Sequence, residues 1–424
     1  MSSDGLDHPG RACALQVFKY PSVLPSLAHQ VDTAHVFLPR QGPQNMSLVN
    51  FSSLDYRAAQ RTPNNCLQNA CTSESFISFG TRQYSADWPL YRHLTSECPQ
   101  TSDPERADVF LVPFLFGYMM TSAWERTPVL DPARRRREHH TMIENALAIK
   151  KQLPFLNATT APRHIFLFSC DGQFVNLELH RLMLSSLVVH LGDDLYRSGH
   201  QDRGFRRAAY MANSMSVPYR VSQWLPPGSA TALAPHKRPT LLAMNVNVRR
   251  SSARSEIANT VLKAATALNA TRAVSFTSTM VNPREAVALA NASTFCLCPT
   301  GDSKGFTARF YFSLLTGCLP VRIDGWRRDT ALGPVAYPFP ELLNWSRLVI
   351  DISMKEVPTL LPRLLAMPTR EIESRQAYLR RVVHWLHYDR PEYAGRDAAA
   401  ALVRQIEKRV LPLGRRRASG AGDS

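Results

Sequence analysis

No stretch of this 424-residue chain holds the roughly 18 consecutive apolar residues that a membrane-spanning helix requires. The longest apolar run, 109–120, is broken by Pro113 and reads as a buried strand. Residues 1–10 are polar and lack the apolar core of a signal peptide, so no anchor or signal is visible in the chain. Cysteine is sparse at 8 residues, which excludes a disulfide miniprotein. Neither a Walker loop nor G-x-G-x-x-G occurs, and there is no internal repeat. Lysine supplies only 8 of the 50 basic residues.

The residues that are present include 44% hydrophobic and 20% charged positions. That is enough apolar material for two domains or one large one, and it excludes a disordered tail protein and a coiled coil. The net charge of +16 is carried almost entirely by arginine, whose planar fork suits phosphate and carboxylate, so it points to anionic partners. Codon bias, which would also account for the abundant Ala and Pro, is the alternative source. The basic runs 134–137 and 415–417 are isolated charge runs without interleaved aromatics, which argues against nucleic acid as a partner.

Six N-x-S/T sequons, at Asn45, Asn50, Asn157, Asn269, Asn291 and Asn344, favour a secretory history. Cys66, Cys71 and Cys98 share a polar, loop-rich stretch that would suit a disulfide in an oxidising lumen. Cys170, Cys296, Cys298 and Cys318 sit in or beside apolar strands and read as small buried thiols. The C-x-C pair at 296 and 298 has no second ligand pair nearby, so zinc is not expected.

Short apolar runs at 15–18, 35–38, 108–115, 164–169, 240–244, 273–276, 294–298, 319–323 and 348–352 alternate with segments of helical spacing, notably 137–151, 255–268, 284–290 and 308–315. That alternation predicts parallel sheets covered by helices. The Pro-rich segment 226–238 reads as a linker between an N-terminal domain, 15–225, and a C-terminal one, 239–368. Helices follow over 369–411, and 1–14 and 412–424 are expected to be disordered.

Residues 294–309 carry the chemistry: Thr-Phe-Cys-Leu-Cys-Pro-Thr-Gly-Asp-Ser-Lys-Gly-Phe-Thr-Ala-Arg, with Gly-Cys-Leu-Pro-Val-Arg-Ile-Asp at 317–324. A Gly-containing loop between a parallel strand and a helix presents free N–H groups and the positive end of a dipole, which favours an anion such as phosphate. Ser303 can donate its hydroxyl there, and Arg309 can grip a diphosphate. An ordinary strand–loop–helix corner has the same local pattern.

Three elements together resemble the exostosin family of glycosyltransferases. They are this run, continued by Pro338-Phe339, Asn344-Trp345 and 349–351; the upstream Trp88, Tyr91 and Leu94 with Thr-Ser-Asp-Pro-Glu-Arg-Ala-Asp-Val-Phe-Leu-Val-Pro at 101–113; and the strand 163–172 ending in Asp171-Gly172. They occur in the family's order over about residues 15–400. The resemblance implies an α/β fold of GT-B type, two Rossmann-like domains facing across a cleft. It implies an inverting hexosyl- or pentosyltransferase of the Golgi lumen or membrane, using a nucleotide-sugar donor, usually UDP-linked, and an oligo- or polysaccharide acceptor.

On that resemblance the donor docks through Gly301, Asp302, Ser303 and Arg309, with Arg249 either a second clamp or a surface charge. The chain contains no D-x-D, the acidic pair that holds a cation on the diphosphate in metal-dependent transferases, so no metal or other cofactor is expected. Inversion needs a base for the acceptor hydroxyl. Asp171 is the candidate, and capping of the next helix is its other reading. Glu105 and Asp108, flanking a buried strand, read as structural.

The chain departs from the family where an Asp or Glu usually precedes the Ser of the loop helix, since Phe312 stands there. The loop between Ser303 and Arg309 is one residue longer, and Asn245 or Asn247 replaces a Gly. Phe312 motivates the alternative of a catalytically weak or inactive subunit that binds glycan or supports a partner glycosyltransferase.

Overall fold

A computed structural model of the chain describes residues 12–20, 36–39, 46–49, 86–112, 153–169, 183, 185–191, 213–221, 225, 238–248, 252–278, 283–299, 306–324, 337–388 and 390–420. The chain divides into two α/β units. One comprises Met1–Val217 with Ala399–Ser424, the other Pro218–Ala398.

In the first unit, β1 (Val17–Lys19), β4 (Gln100–Thr101), β5 (Val109–Leu111), β6 (His164–Phe168), β7 (Leu187–His190) and β8 (Ser214–Ser216) form one sheet in the order β4-β1-β5-β6-β7-β8. Every pairing is parallel. Strands β5, β6 and β7 are buried along their whole length, as an apolar run must be when both faces of a parallel sheet are covered. A separate antiparallel pair joins β2 (Val36–Pro39) to β3 (Met46–Val49). Helix α1 (Asp87–Ser96) precedes β4.

The core of this unit holds an aromatic cluster. The Phe110 ring stacks on His164 at 4.7 Å between centroids, and Tyr20 and Phe155 lie against both Phe110 and each other. His164 Nδ1 lies 2.9 Å from the Thr160 carbonyl and so carries the proton, leaving Nε2 to accept from the Tyr20 hydroxyl at 2.7 Å. Burial depresses the imidazole's pKa to about 4.

In the second unit, β9 (Thr240–Asn245), β10 (Val274–Thr277), β11 (Ser293–Pro299), β12 (Leu319–Asp324) and β13 (Ile350–Ser353) are all parallel, in the order β10-β9-β11-β12-β13. The crossovers are α2 (Ser252–Ala267), α3 (Pro283–Asn291), α4 (Ala308–Leu315) and the short α5 (Trp345–Leu348). Then come α6 (Val357–Leu365) and α7 (Thr369–Val382). Central β11 is buried throughout, whereas edge β13 alternates between buried and exposed residues. Gly317 takes a left-handed φ of 74°, which turns the chain from the end of α4 into β12. The buried Arg238 donates to the carbonyls of Ala290 and Thr316, at the C-terminal ends of α3 and α4, and to that of Ser293. A guanidinium is well placed there, because helix C-termini present unpaired carbonyls and a partial negative charge.

Helix α8 (Ala398–Gly420) returns to the first unit, where Glu407 Oε1 accepts the Ala14 N–H at 2.7 Å. The units therefore part at Val217/Pro218 and again at Ala398/Ala399, while residues 226–237, most of the expected linker, lie outside the described residues. Residues 412–420, expected to be a disordered tail, continue α8. Cys13, in the stretch expected to be disordered, forms a disulfide with Cys98. Cys66 and Cys71 lie outside the described residues.

A second correction concerns Cys296 and Cys318, expected to be thiols. They are bonded to each other, and Cys298 keeps a buried thiol. Parallel pairing of β11 with β12 brings the residue before β12 beside Cys296, a neighbourhood that depends on strand register.

The cysteines of the ring closed by Cys296–Cys318 are 22 positions apart, and the ring contains the whole loop and α4. Removing it with Cys296→Ala and Cys318→Ala should lower unfolding stability by about 3 kcal/mol on chain-entropy grounds. Guanidinium unfolding of the double variant and the parent, both without reductant so that Cys13–Cys98 stays closed, reads this directly, and an unchanged midpoint would deny the bond any stabilising role. Acid should also destabilise the fold. The unfolded imidazoles of His164 and His387 bind protons near pH 6.5, while burial delays the folded groups to about 4 and about 3. Stability is then full above about pH 6.5 and falls as pH drops towards 4. Unfolding midpoints across that range test this, and His164→Gln should flatten the dependence.

Candidate anion site at the sheet switch point

Numbered within the second unit, the strand order is 2-1-3-4-5, so the direction of winding reverses between β9 and β11. In open parallel sheets a ligand binds in the crevice beyond the carboxyl ends of the strands at that reversal. Both strands there lead into helices, β9 into α2 and β11 into α4, so two helix N-termini converge on one corner. Their orphan N–H groups and dipoles attract negative charge.

Arginines come with both helices. Arg309 is the second residue of α4, half-buried, and its guanidinium has no hydrogen-bond or ion-pair partner among the described residues. Burial lowers its pKa, partly offset by Cys298, and the charge of Arg254 lowers it further. Arg254 occupies the first turn of α2 and is buried. A nearby anion would favour the charged form of Arg309, which burial and the like charge of Arg254 disfavour. Thr307, which precedes α4 in extended conformation, makes no side-chain cap, and its buried hydroxyl has no partner among the described residues. Cys298, beneath α4 and 3.5 Å from the Ser313 hydroxyl, has its pKa raised by burial to about 11, so its thiol stays protonated.

Of the residues expected to bind the donor or act as base, the structure describes Arg309, in the first turn of α4. Gly301, Asp302, Ser303, Arg249 and Asp171 lie outside the described residues. Arg254 was missed. Its sequence signal was position, since it stands about ten residues beyond β9, as Arg309 stands ten beyond Pro299. Asn245, at one of the two positions considered for the family's glycine, accepts a hydrogen bond from the Thr277 hydroxyl of β10. Phe312, one turn after Arg309, is buried.

In the first unit, a polar group gathers at the carboxyl end of the sheet. The Asp87 N–H, opening α1, donates to Ser169 Oγ at 3.1 Å, just beyond β6, and Lys19 at the end of β1 lies over the Tyr91 ring. Asp87 is fully buried. Asp108, in contrast, accepts the Gln16 N–H at 2.8 Å and serves structure.

An open cavity of about 370 Å³ lies elsewhere in the second unit, lined by Asp351, Arg363, Met367, Glu371 and Arg375 among others. It sits against the start of edge strand β13, at the opposite end of the sheet from the switch point, so it is separate from the anion corner.

Residues 48–368 match the model of the exostosin GT47 domain. A 76-residue stretch is 32% identical to an Arabidopsis thaliana protein described as a probable glycosyltransferase, covering 18% of this chain and 14% of that protein's length.

The corner makes a prediction that is independent of any sugar. Pyrophosphate alone should raise the thermal midpoint, because a ligand that binds the folded state stabilises it. Arg309→Gln and Arg254→Gln should each weaken that binding by about tenfold, the range of one hydrogen bond to a charged group. Shifts retained in full by both variants, each compared with its own unliganded midpoint, would exclude these arginines as the clamp.

Proposed function

Because the chain belongs to the exostosin GT47 family, its model matching residues 48–368, we propose that it transfers a sugar from a nucleoside-diphosphate donor, UDP-linked, to a hydroxyl of an oligo- or polysaccharide acceptor, with inversion. The observation that carries this reading is the pairing of Arg254 and Arg309 on two helix N-termini at the β9/β11 switch point. The donor's diphosphate docks there, aided by Gly301, Asp302, Ser303 and Arg249. The acceptor oxygen forms a bond to the anomeric carbon while the bond from that carbon to the diphosphate oxygen breaks. The acceptor proton passes to the Asp171 carboxylate, and the growing charge on the departing diphosphate is met by the arginines and the helix dipoles. Such preorganised positive charge does the work that a cation does elsewhere, so the proposed transfer is metal-independent. The transferred residue is a hexose or a pentose.

We place the reaction in the Golgi lumen. The disulfides Cys13–Cys98 and Cys296–Cys318 support an oxidising compartment. No helix among the described residues is long and apolar enough to cross a membrane. The net charge of +16 suits an acidic glycan or an anionic membrane surface better than nucleic acid, given the isolated basic runs.

A second reading rests on Phe312. Where the family usually offers a carboxylate one turn from Arg309, this chain buries a phenyl ring. That favours a subunit that holds donor or glycan and supports a partner transferase. A panel of UDP-sugars separates the two. For an enzyme, one sugar raises the thermal midpoint and is turned over in EDTA, and Asp171→Asn lowers turnover about 100-fold or more while leaving donor affinity intact. Donor binding without turnover on any acceptor would establish the subunit reading. Turnover that EDTA abolishes and a divalent cation restores would overturn metal independence.

A further inference from the structure

Sequons are the sequence feature that the proposed reaction leaves unused, and the fold sorts them into different kinds. Asn157 is exposed in a turn before β6, where its side-chain oxygen accepts the N–H groups of Thr159 at 2.9 Å and Thr160 at 3.1 Å. The sequon's Thr159 is exposed as well. Asn269 is exposed just beyond the end of α2, with a left-handed φ of 49°, and its Thr271 is exposed in the following turn. Asn tolerates that backbone region better than most residues, so the chain leaves the helix there with its side chain on the surface. Asn291 differs. Its sequon ends at Ser293, the fully buried first residue of β11, whose hydroxyl donates to the Leu289 carbonyl at 2.7 Å.

We infer that Asn157 and Asn269 are N-glycosylated and that Asn291 is not. The amide nitrogen of each asparagine forms a bond to the anomeric carbon of an oligosaccharide carried on a lipid diphosphate. The bond from that carbon to the diphosphate breaks, the lipid diphosphate leaves, and the amide nitrogen gives up one proton. Attachment precedes folding, so the finished fold must leave the bulky, hydrated glycan in solvent. At Asn157 and Asn269 it does, because both residues lie in exposed turns. At Asn291 the neighbouring chain enters the central strand of the sheet.

The placement also leaves the proposed chemistry open. Asn157 precedes β6, and Asn269 follows a helix that runs back from the carboxyl end of β9. Both therefore lie at the amino ends of their sheets, whereas the anion corner and the polar group near Ser169 lie at the carboxyl ends. Asn45 and Asn50 lie outside the described residues. Asn344 is exposed, but its side-chain oxygen accepts the hydroxyl of the sequon's own Ser346 at 2.7 Å at the start of four-residue α5, so it is left outside the assignment. The inference rests on the luminal reading of the protein, which the two disulfides support independently.

The test is to direct the full chain into the secretory pathway of a eukaryotic cell and map peptides after enzymatic deglycosylation in heavy-oxygen water. Label is expected at Asn157 and Asn269 and not at Asn291. Asn157→Gln and Asn269→Gln should each remove one glycan from the intact mass. A secreted, disulfide-bonded product bare at both sites, or occupied at Asn291, would overturn the assignment. The UDP-sugar thermal shift should be unchanged in the double variant, so failure of the glycan assignment and failure of the donor reading are separately visible.

Discussion

Burial of β11 on both faces constrains the second unit more than any other feature. Seven successive residues with no solvent exposure to speak of must be covered by other elements above and below, and flanked by strands on both sides. At its carboxyl end the chain goes on to α4 and then returns as β12. The Cys296–Cys318 bond ties β11 to the start of β12, so the intervening segment and its helix lie within a closed covalent ring.

The two ends of this sheet differ in electrostatics because its helices all run antiparallel to its strands. At the amino end, the C-termini of α3 and α4 present carbonyls, and buried Arg238 answers them with hydrogen bonds, so charge and dipoles balance within the protein. At the carboxyl end, helix N-termini meet Arg254 and Arg309, so dipole and side chain carry the same sign. Burial disfavours the charged form of Arg309 at that end. An anionic ligand is the natural counterpart, and the diphosphate of the proposed donor is such an anion.

Much of this was legible in advance, for identifiable reasons. The long apolar runs at β6, β9, β11 and β12 could be read because buried parallel strands have no polar face to interrupt them. Strand β8, Ser-Met-Ser, escaped because it carries one apolar side chain and owes its place to pairing with β7. Helix α6 escaped because Pro358 and Pro362 disguise it; Pro358, at the helix start, removes an N–H that has no partner there anyway, whereas Pro362 lies inside the helix. Helix α7 showed its buried face in the spacing of Ile372, Leu379 and Val382, and only its final turn, tightened at 383–386, departed from the pattern.

The sequence by itself determined the α/β class, the family resemblance and the loop-and-arginine motif, because these depend on local order along the chain. Tertiary structure decided which distant residues share a place. Arg254 and Arg309 are 55 positions apart and meet only because β9 and β11 are neighbours across the winding reversal. Cys13 finds Cys98, and Cys296 finds Cys318, through strand order and register, which no spacing in one sequence encodes. Exposure likewise separated Asn157 and Asn269 from Asn291, since three sequons that look alike as text differ in how the backbone around them is packed.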